Sequence, residues 1–577
     1  MTDRMDKRAA ADALEQIASF MELKGDNVFR VRTFRTVARI VGGLPGTLRQ
    51  ALDDGSLTAT KGVGPATLEA ITELATAGRS ALLEELRDQV PPGLVEMLSI
   101  SGLGVAKIRQ IHETLGIDSL PELEAAAVDG RLAGLPRFGQ KTADNIRKSI
   151  AFLRQASAFR LAHHAADEAR ALIEALTRVP GVLRATAAGE VRRRCEVVRD
   201  LVIVLIAEVP AAEIFARLSQ VPGVHEFAGQ DERHVTLRFV GGTSAQIIVT
   251  PPNNAGAVLV QATGSDAHLQ QLEERAAAAG CSLRGAAVWR GSEFVSTPDE
   301  EELYRALDLP WIPPELREGG GEVQAAAGGT LPVLLEATDL RGFLHCHTSY
   351  SDGSNSVADL AGGVRAAGYD WMGITDHSQS AAYAGGLSPE ALRRQAAEIA
   401  AVGSKMPGFR ILHGVEADIL ADGRLDYEDH VLAQLDFVIG SIHSRFNLSE
   451  AEMTARVLAA LDNPYLTILG HPTGRLLLSR DAYSIDLEAV FARAGARGVA
   501  IEINADPHRL DLDWRVLRAA RARGVMISIG ADAHSLAGLG NVAYGVGIAR
   551  KGWLGPAEVL NTRTADGFLA FARARRS

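Results

Sequence analysis

Residues 341–352 read Arg-Gly-Phe-Leu-His-Cys-His-Thr-Ser-Tyr-Ser-Asp, a short apolar run that ends in His345 and His347, with Asp352 five residues further on. Strand side chains alternate faces, so the two histidines point one way and Cys346 the other. Six further runs share this form. WMGITDH ends in Asp376 and His377, FRILHGVEAD carries Glu416, FVIGSIHS carries His443, LTILGHP carries His471, VAIEINA carries Glu502 and Asn504, and MISIGADAH ends in Asp532 and His534. Helix-like stretches at 356–368, 388–403, 449–461, 486–497 and 511–523 separate them. Strands alternating with helices predict a parallel α/β barrel, whose chemistry sits at the C-terminal strand ends, where these donors fall.

A lone histidine at a strand end is usually a satisfied core or loop residue. Nine donors in phase are a different case: His345, His347, Asp352, His377, Glu416, His443, His471, Asp532 and His534 predict a polynuclear metal centre. Imidazole and carboxylate without thiolate is a ligand set suited to Mn, Zn or Fe. Glu502 and Asn504 read as groups that orient ligands. Arg475, four residues after His471, is positioned either to grip a non-bridging phosphate oxygen or to be a solvated loop residue.

The motifs HCHTSYSDG, TDHS, GVEADIL, SIHS, GHPTGR and ADAH resemble, in order, those of the polymerase and histidinol phosphatase (PHP) superfamily. The resemblance implies a distorted (β/α)7 barrel that holds three divalent metal ions and hydrolyses phosphoesters. It assigns His345, His347, Glu416 and Asp532 to one ion, Glu416, His443 and His471 to a second, and Asp352, His377 and His534 to the third. Glu416, His443 and Arg475 are then the catalytic candidates of the barrel. Phe343 and Leu344 stand where relatives often carry an acidic residue, a departure that touches no ligand.

Upstream, Lys61-Gly-Val-Gly64, Ser101-Gly-Leu-Gly104 and Leu135-Pro-Arg-Phe-Gly139 each lie between two helix-like stretches. Glycine turns opening a helix expose N–H groups to which a phosphate binds without base contacts. One such turn is as often purely structural. Three in succession, followed by Thr, Lys or Arg, resemble the helix-hairpin-helix units of sequence-independent DNA binders, with Gly62, Gly64, Gly102, Gly104, Gly139 and Lys141 as the DNA-binding candidates. Arg30, Arg32, Arg35 and Arg39 form either a backbone-tracking series or a solvated helix face.

Residues 156–317, with the stretch Gly189-Glu-Val-Arg-Arg-Arg-Cys-Glu-Val-Val-Arg-Asp200, resemble the palm and thumb of family X DNA polymerases. That family holds two Mg²⁺ ions with three carboxylates. Here Asp200 matches the first, Val202 stands at the second and Gln246 at the third, while Glu190 replaces an expected serine. Arg193, Thr263, Gly264 and Ser265 keep their places as nucleotide-binding candidates. One Asp on a Val-flanked strand holds a Mg or Mn pair poorly, so the expectation is a polymerase activity weakened or lost. Ala70 replaces the lysine that forms a Schiff base in relatives that excise a 5′-deoxyribose phosphate, which removes the amine that chemistry needs.

The expected organisation is a multidomain chain: a helical DNA-end module over 1–80, a helix-hairpin-helix fingers-like part over 81–155, an α+β nucleotidyltransferase palm over 156–255, a thumb over 256–317, a flexible linker over 318–337 and the barrel over 338–577. Net charge is −11, yet residues 1–160 carry 21 Lys and Arg against 20 Asp and Glu, so DNA contact relies on local patches and weakens with salt. The charged start lacks an apolar segment, and Cys195, Cys281 and Cys346 are too scattered for a thiolate zinc site or disulfides. A cytoplasmic monomer with no membrane contact is expected, its partners being gapped, nicked or 3′-ended DNA and dNTP. The function expected is a metal-dependent 3′-5′ exonuclease or DNA-end phosphoesterase. The alternatives are a Mn-dependent gap-filling polymerase and a phosphatase of the histidinol phosphatase type.

Overall fold

The computed structural model describes residues 7–42, 44, 48–60, 62–98, 100, 102–156, 158–239 and 243–576, in two compact units, Met1–Ser157 and Ala158–Ser577. Lys61 and Ser101 of the predicted glycine turns lie outside the described residues. The first unit is helical. Its amphipathic helices, among them Lys7–Lys24, Val28–Gly42, Pro65–Ala77, Val105–Leu115 and Gln140–Ala156, bury one stripe each. Leu14, Phe34, Leu74, Ile108 and Ile146 belong to one continuous core, so the expected modules at 1–80 and 81–155 pack as a single body.

The glycine turns are built as the sequence suggests. Gly62 and Gly102 take φ of +104° and +79°, and Gly64 and Gly104 cap the helices that follow. A side chain added at Gly64, Gly102, Gly104 or Gly139 would meet open space, so the backbone there is approachable, and Lys141 is exposed beside Gly139. Of the arginine series, Arg35 is engaged by Glu15 and Glu22 and Arg30 by Asp26, whereas Arg32 is exposed. Ala70 is buried.

In the second unit, a five-stranded sheet is ordered 182–187, 201–207, 244–250, 234–239, 224–228. Strands Leu201–Ala207 and Ser244–Thr250 run parallel and place Val202 directly opposite Gln246. A small subdomain follows, with helices Ala255–Thr263 and Asp266–Ala278, a three-stranded antiparallel sheet and helix Glu300–Ala306.

The barrel strands are β1 (Gly342–Cys346), β2 (Trp371–Ile374), β3 (Arg410–His413), β4 (Glu416–Asp418), β5 (Ile439–Ser441), β6 (Ile468–Leu469), β7 (Ala500–Asn504) and β8 (Ile527–Ala533). They pair in parallel in the order β3-β2-β1-β8-β7-β6-β5-β4. Since β3 and β4 are halves of one run interrupted at Gly414 and Val415, the two edges of the sheet are the same piece of chain and seven staves close. The interruption has a packing cause: a Cβ on Gly414 would lie 2.6 Å from the Phe437 ring. A bridge between His377 and Glu416 carries the pairing past the break. All strands except β3 are buried throughout, as parallel strands covered on both faces must be.

The predicted flexible linker is overturned. Glu318 pairs with Arg193 at 2.8 Å and with Lys551, and Glu322–Ala327 is helical. The buried Glu322 carboxylate meets His268 Nδ1 at 2.6 Å and accepts from the Gly319 N–H at 2.8 Å. Nor are palm and barrel free to rearrange across it. Glu196 accepts from Trp514 Nε1 at 3.1 Å and from Arg515 at 2.5 Å, Arg550 pairs with Glu315 at 2.8 Å, and Arg518 donates to the Gly320 carbonyl at 2.7 Å. A Gly- and Ala-rich composition suggests a coil only while the acidic residues within it lack partners. Among the described residues no helix is long and apolar enough to cross a membrane, and the three cysteines are free.

Candidate metal centre

All nine predicted donors converge at the C-terminal mouth of the barrel. Their ligand atoms fall into four groups, each within 4.8 Å: His347, Asp352, His377 and His534; His345, His471 and Asp532; His345, His347 and Glu416; and His377, Glu416 and His443. Glu416 lies at the centre. Its Oε1 is 2.9 Å from His471 Nε2 and 3.4 Å from His443 Nε2, and its Oε2 is 3.0 Å from His377 Nδ1. His347 Nε2 lies 3.3 Å from Asp532 Oδ1, and His534 Nε2 lies 3.3 Å from Asp352 Oδ1. The grouping is more entangled than the three separate sets implied by the family resemblance, because His347 faces Asp532 with one nitrogen and Asp352 with the other.

Simple alternation does not produce this convergence. His345, His471 and Asp532 have φ of +59°, +23° and +49°, and the β1–β8 register shifts between Leu344 and Cys346. Left-handed backbone at non-glycine residues costs roughly 1–3 kcal/mol each and persists where the surroundings over-determine it. The surroundings here are tight: a Cβ on Gly530 would lie 1.8 Å from Glu502 Oε1. Cys346 does face away, its thiol donating to the Gly373 carbonyl at 3.3 Å.

The donor set fits divalent cations. His345 Nε2, both ring nitrogens of His347, Asp352 Oδ1, His377 Nδ1 and His471 Nδ1 are buried with no hydrogen-bond partner. Orphaned buried polar atoms are costly unless a cation meets them. Electrostatics agree. Burial opposes charge on His345, but Glu502, Asp532 and Glu416 override it and lift its pKa well above the ordinary imidazole value. His443 and His534 are likewise carried, against burial, to about 10 and about 9 by Glu416 and Asp418 and by Asp352 and Asp532. His347, buried beside His534 and His377, falls to about 4. Burial alone would raise Glu416 and Asp532, yet the histidines hold both carboxylates well below their usual range. Metal ions entering at neutral pH would therefore displace protons, and their affinity would rise with pH.

Behind the donors stands a layer that the sequence resolves only in part. Glu502 Oε1 meets His345 Nδ1 at 2.5 Å, its Oε2 accepts from the His471 backbone N–H at 2.7 Å, and Asn504 donates to Glu502 and to Asp532 at 3.2 and 3.0 Å. That is the orienting role expected of both residues. Asp418 was missed, although it lies two residues after Glu416 in GVEAD; its carboxylate meets His443 Nδ1 at 2.6 Å. Such partners fix tautomer and ring orientation, so Glu502→Gln and Asp418→Asn should each lower metal affinity by roughly 10–100-fold, read by titration of the metal-free protein. Unchanged affinity in both variants would remove this role.

Arg475 is not a solvated loop residue. Its guanidinium donates to the Arg509 carbonyl at 3.0 Å, to Asp513 at 2.6 Å and to the Leu510 carbonyl, so each of its three nitrogens helps to fasten the 509–513 loop. The arginine facing the donors is Arg509, with Nε 3.6 Å from Asp532 Oδ2. Nothing in DPHRLDLDW set it apart from its neighbours.

The palm candidates do not form a site of this kind. Asp200 is exposed just before strand Leu201–Ala207, with Val202 and Gln246 in register behind it. Glu190 accepts from the Arg199 N–H at 2.6 Å. Arg193 donates to Glu318 and to the Thr263 carbonyl, both at 2.8 Å. Ser265 caps helix Asp266–Ala278, and a side chain on Gly264 would collide with His268. Arg193 thus ties the palm to the Thr263 backbone and to Glu318, and Ser265 closes the start of a thumb helix.

The comparisons with known proteins agree with this geometry. Residues 344–506 match the PHP domain, 258–318 the DNA polymerase beta thumb, 5–80 a helix-hairpin-helix domain and 94–151 a SAM-like helix-hairpin-helix tandem. Hairpins, thumb and PHP barrel on one chain define a family X DNA polymerase with a PHP domain. Over 574 residues, 99% of this chain and 100% of the relative, it is 37% identical to the DNA polymerase/3′-5′ exonuclease PolX of Bacillus subtilis. The chain belongs to this PolX family. Shorter similarities reach probable phosphatases: 40% identity over 104 residues, 39% of that protein, in Caldanaerobacter subterraneus, and 30% over 164 residues, 63% of that protein, in Caldicellulosiruptor bescii.

Proposed function

We propose that the barrel is a metal-dependent 3′-5′ exonuclease or DNA-end phosphoesterase, and that the palm has lost most or all polymerase activity. The observation that carries this is the contrast between nine converging donors with orphaned nitrogens and a palm whose second and third carboxylate positions are Val202 and Gln246. Three ions of Mn or Zn would be held by His345, His347, Asp352, His377, Glu416, His443, His471, Asp532 and His534. Bound there, they supply Lewis acidity to phosphate oxygens and lower the pKa of water. Glu416, central to the cluster, would help hold the ions; Glu502 and Asp418 fix the ring orientations of His345 and His443; and the burial of these side chains strengthens every charge interaction. The helical unit, with its approachable turns at Gly62, Gly64, Gly102, Gly104 and Gly139, would hold gapped, nicked or 3′-ended DNA by its backbone, independent of sequence. The Bacillus relative, a DNA polymerase/3′-5′ exonuclease, supports the nuclease half of this reading, while the loss in the palm rests on Val202 and Gln246.

The test compares digestion of a labelled oligonucleotide with hydrolysis of a free phosphomonoester, in Mn²⁺, Zn²⁺ and Mg²⁺, alongside metal analysis of the purified protein. Faster turnover of the phosphomonoester would move the assignment to a phosphatase, the reading the shorter relatives suggest. Primer extension on gapped DNA is expected to give no product in Mg²⁺. Robust extension in Mn²⁺ that disappears in Asp200→Ala would restore the polymerase alternative.

A further inference from the structure

The loop that follows β2 is pinned at both ends and raises one aromatic ring between the pins. Its start is held where the Ser380 N–H donates to Asp426 Oδ2 at 2.8 Å and Gln379 donates to the Asp426 carbonyl. Its end is held where Tyr427 Oη donates to the Leu387 carbonyl and Ser378 bridges to Leu387. At its crest the single turn Ala382–Ala384 presents Tyr383, which is 72% exposed. Single exposed apolar residues are ordinary on a protein surface. This one is not in an ordinary place: its ring centroid lies 6.2 Å from that of His377 and 6.3 Å from that of His443, two of the metal donors.

Arg509 faces the same mouth. Among the described residues its guanidinium has one ion-pair partner, Asp532 Oδ2 at 3.6 Å, too long for a hydrogen bond, whereas all three nitrogens of Arg475 donate to the loop that carries Arg509. The loop that carries it is fixed from the palm side, since Glu196 holds Trp514 and Arg515, and from below by Arg475. A cation with free planar donors and an exposed aromatic face, both rigidly mounted around one metal-binding cluster, match the two parts of a nucleotide: phosphate and base.

We infer that Tyr383 and Arg509 form a nucleotide clamp at the mouth of the barrel, with Arg509 pairing to a non-bridging oxygen of the scissile phosphate and Tyr383 stacking on the 3′-terminal base. This rests on the nuclease reading above and adds what makes the site choose nucleic acid over small phosphoesters. Stacking tolerates every base, so the clamp confers no sequence preference.

The test uses the full chain and two 5′-labelled oligonucleotides, one ending in an ordinary 3′ thymidine and one in a 3′ tetrahydrofuran that lacks a base. Tyr383→Ala should lose on the order of ten- to a hundred-fold in kcat/KM on the first, chiefly through KM, and keep its rate on the second within about three-fold. Tyr383→Phe should keep both. Arg509→Met should lose roughly ten- to a hundred-fold on both substrates with unchanged metal content. Equal losses of Tyr383→Ala on the two ends, or none, would overturn the stacking role. A metal-depleted Arg509→Met, or one with full activity, would overturn the phosphate role. If the unaltered protein digests neither substrate, the nuclease reading fails and the clamp fails with it; if it digests both and the variants behave alike, the clamp alone fails.

Discussion

Replacing His345 and His347 together with alanine is expected to abolish digestion of a labelled DNA 3′ end, lowering the rate by on the order of a thousand-fold or more. Both rings are fully buried, and together they take part in three of the four donor groups. Metal ions stabilise phosphoryl transition states by several kcal/mol, and about 4 kcal/mol is already a thousand-fold. The loss should reach beyond two ligands. Glu416 and Asp532 are held ionised chiefly by these histidines and their neighbours, so the variant leaves two buried carboxylates with less compensating charge. Metal analysis should therefore find the barrel depleted, not merely slowed. Binding of gapped duplex, a property assigned to the helical unit, should stay within about two-fold at a fixed salt concentration, since phosphate contacts carry that affinity. Digestion by the double variant at the unaltered rate would end the nuclease assignment.

The barrel was legible in the sequence because each strand carries its own label. Apolar runs with a donor at the C-terminal end, separated by helical stretches, leave little freedom in topology, and β1 to β8 fall where those runs were read. What stayed hidden depends on contacts between distant residues. His345 and Asp532 reach the centre from left-handed backbone, which periodicity does not reveal. Asp418 looks like any acidic residue until His443, twenty-five positions on, turns its Nδ1 towards it. Arg475 and Arg509 look alike in the sequence, and only the fold ties the first to carbonyls 509 and 510 and to Asp513. In the palm, by contrast, the missing carboxylates were readable at once, because a strand register maps directly onto sequence and Val202 does sit opposite Gln246. The linker failed for the opposite reason: its glycines were visible, but the buried partners of Glu318 and Glu322 were not.

Glu300→Gln is expected to destabilise the second unit by about 3–5 kcal/mol at neutral pH, the usual cost of stripping one partner from a buried ion pair. One carboxylate here serves three donors. Arg192 approaches it with two nitrogens at 2.7 Å, Arg317 with two at 2.7 and 3.0 Å, and Trp311 Nε1 at 3.1 Å. The Arg317 side chain is wholly buried, so the amide would leave its guanidinium without the one carboxylate that pairs with it directly. The pH dependence gives a second, independent reading. Burial alone would raise the Glu300 pKa, but Arg317 and Arg192 lower it to about 2 from an ordinary 4.5. A depressed carboxylate contributes stability that is fully present above the unfolded value and is lost as pH falls through the folded one. The gap between the unaltered protein and Glu300→Gln should hold from pH 7 to about 5 and then close between about 4.5 and 2. Thermal or denaturant melts of both proteins across that range would show it. A gap that is absent at pH 7, or constant down to pH 2, would mean that Arg317 is stabilised by its Ile312 carbonyl bond and by the Tyr304 and Trp311 rings near it, and not by this charge.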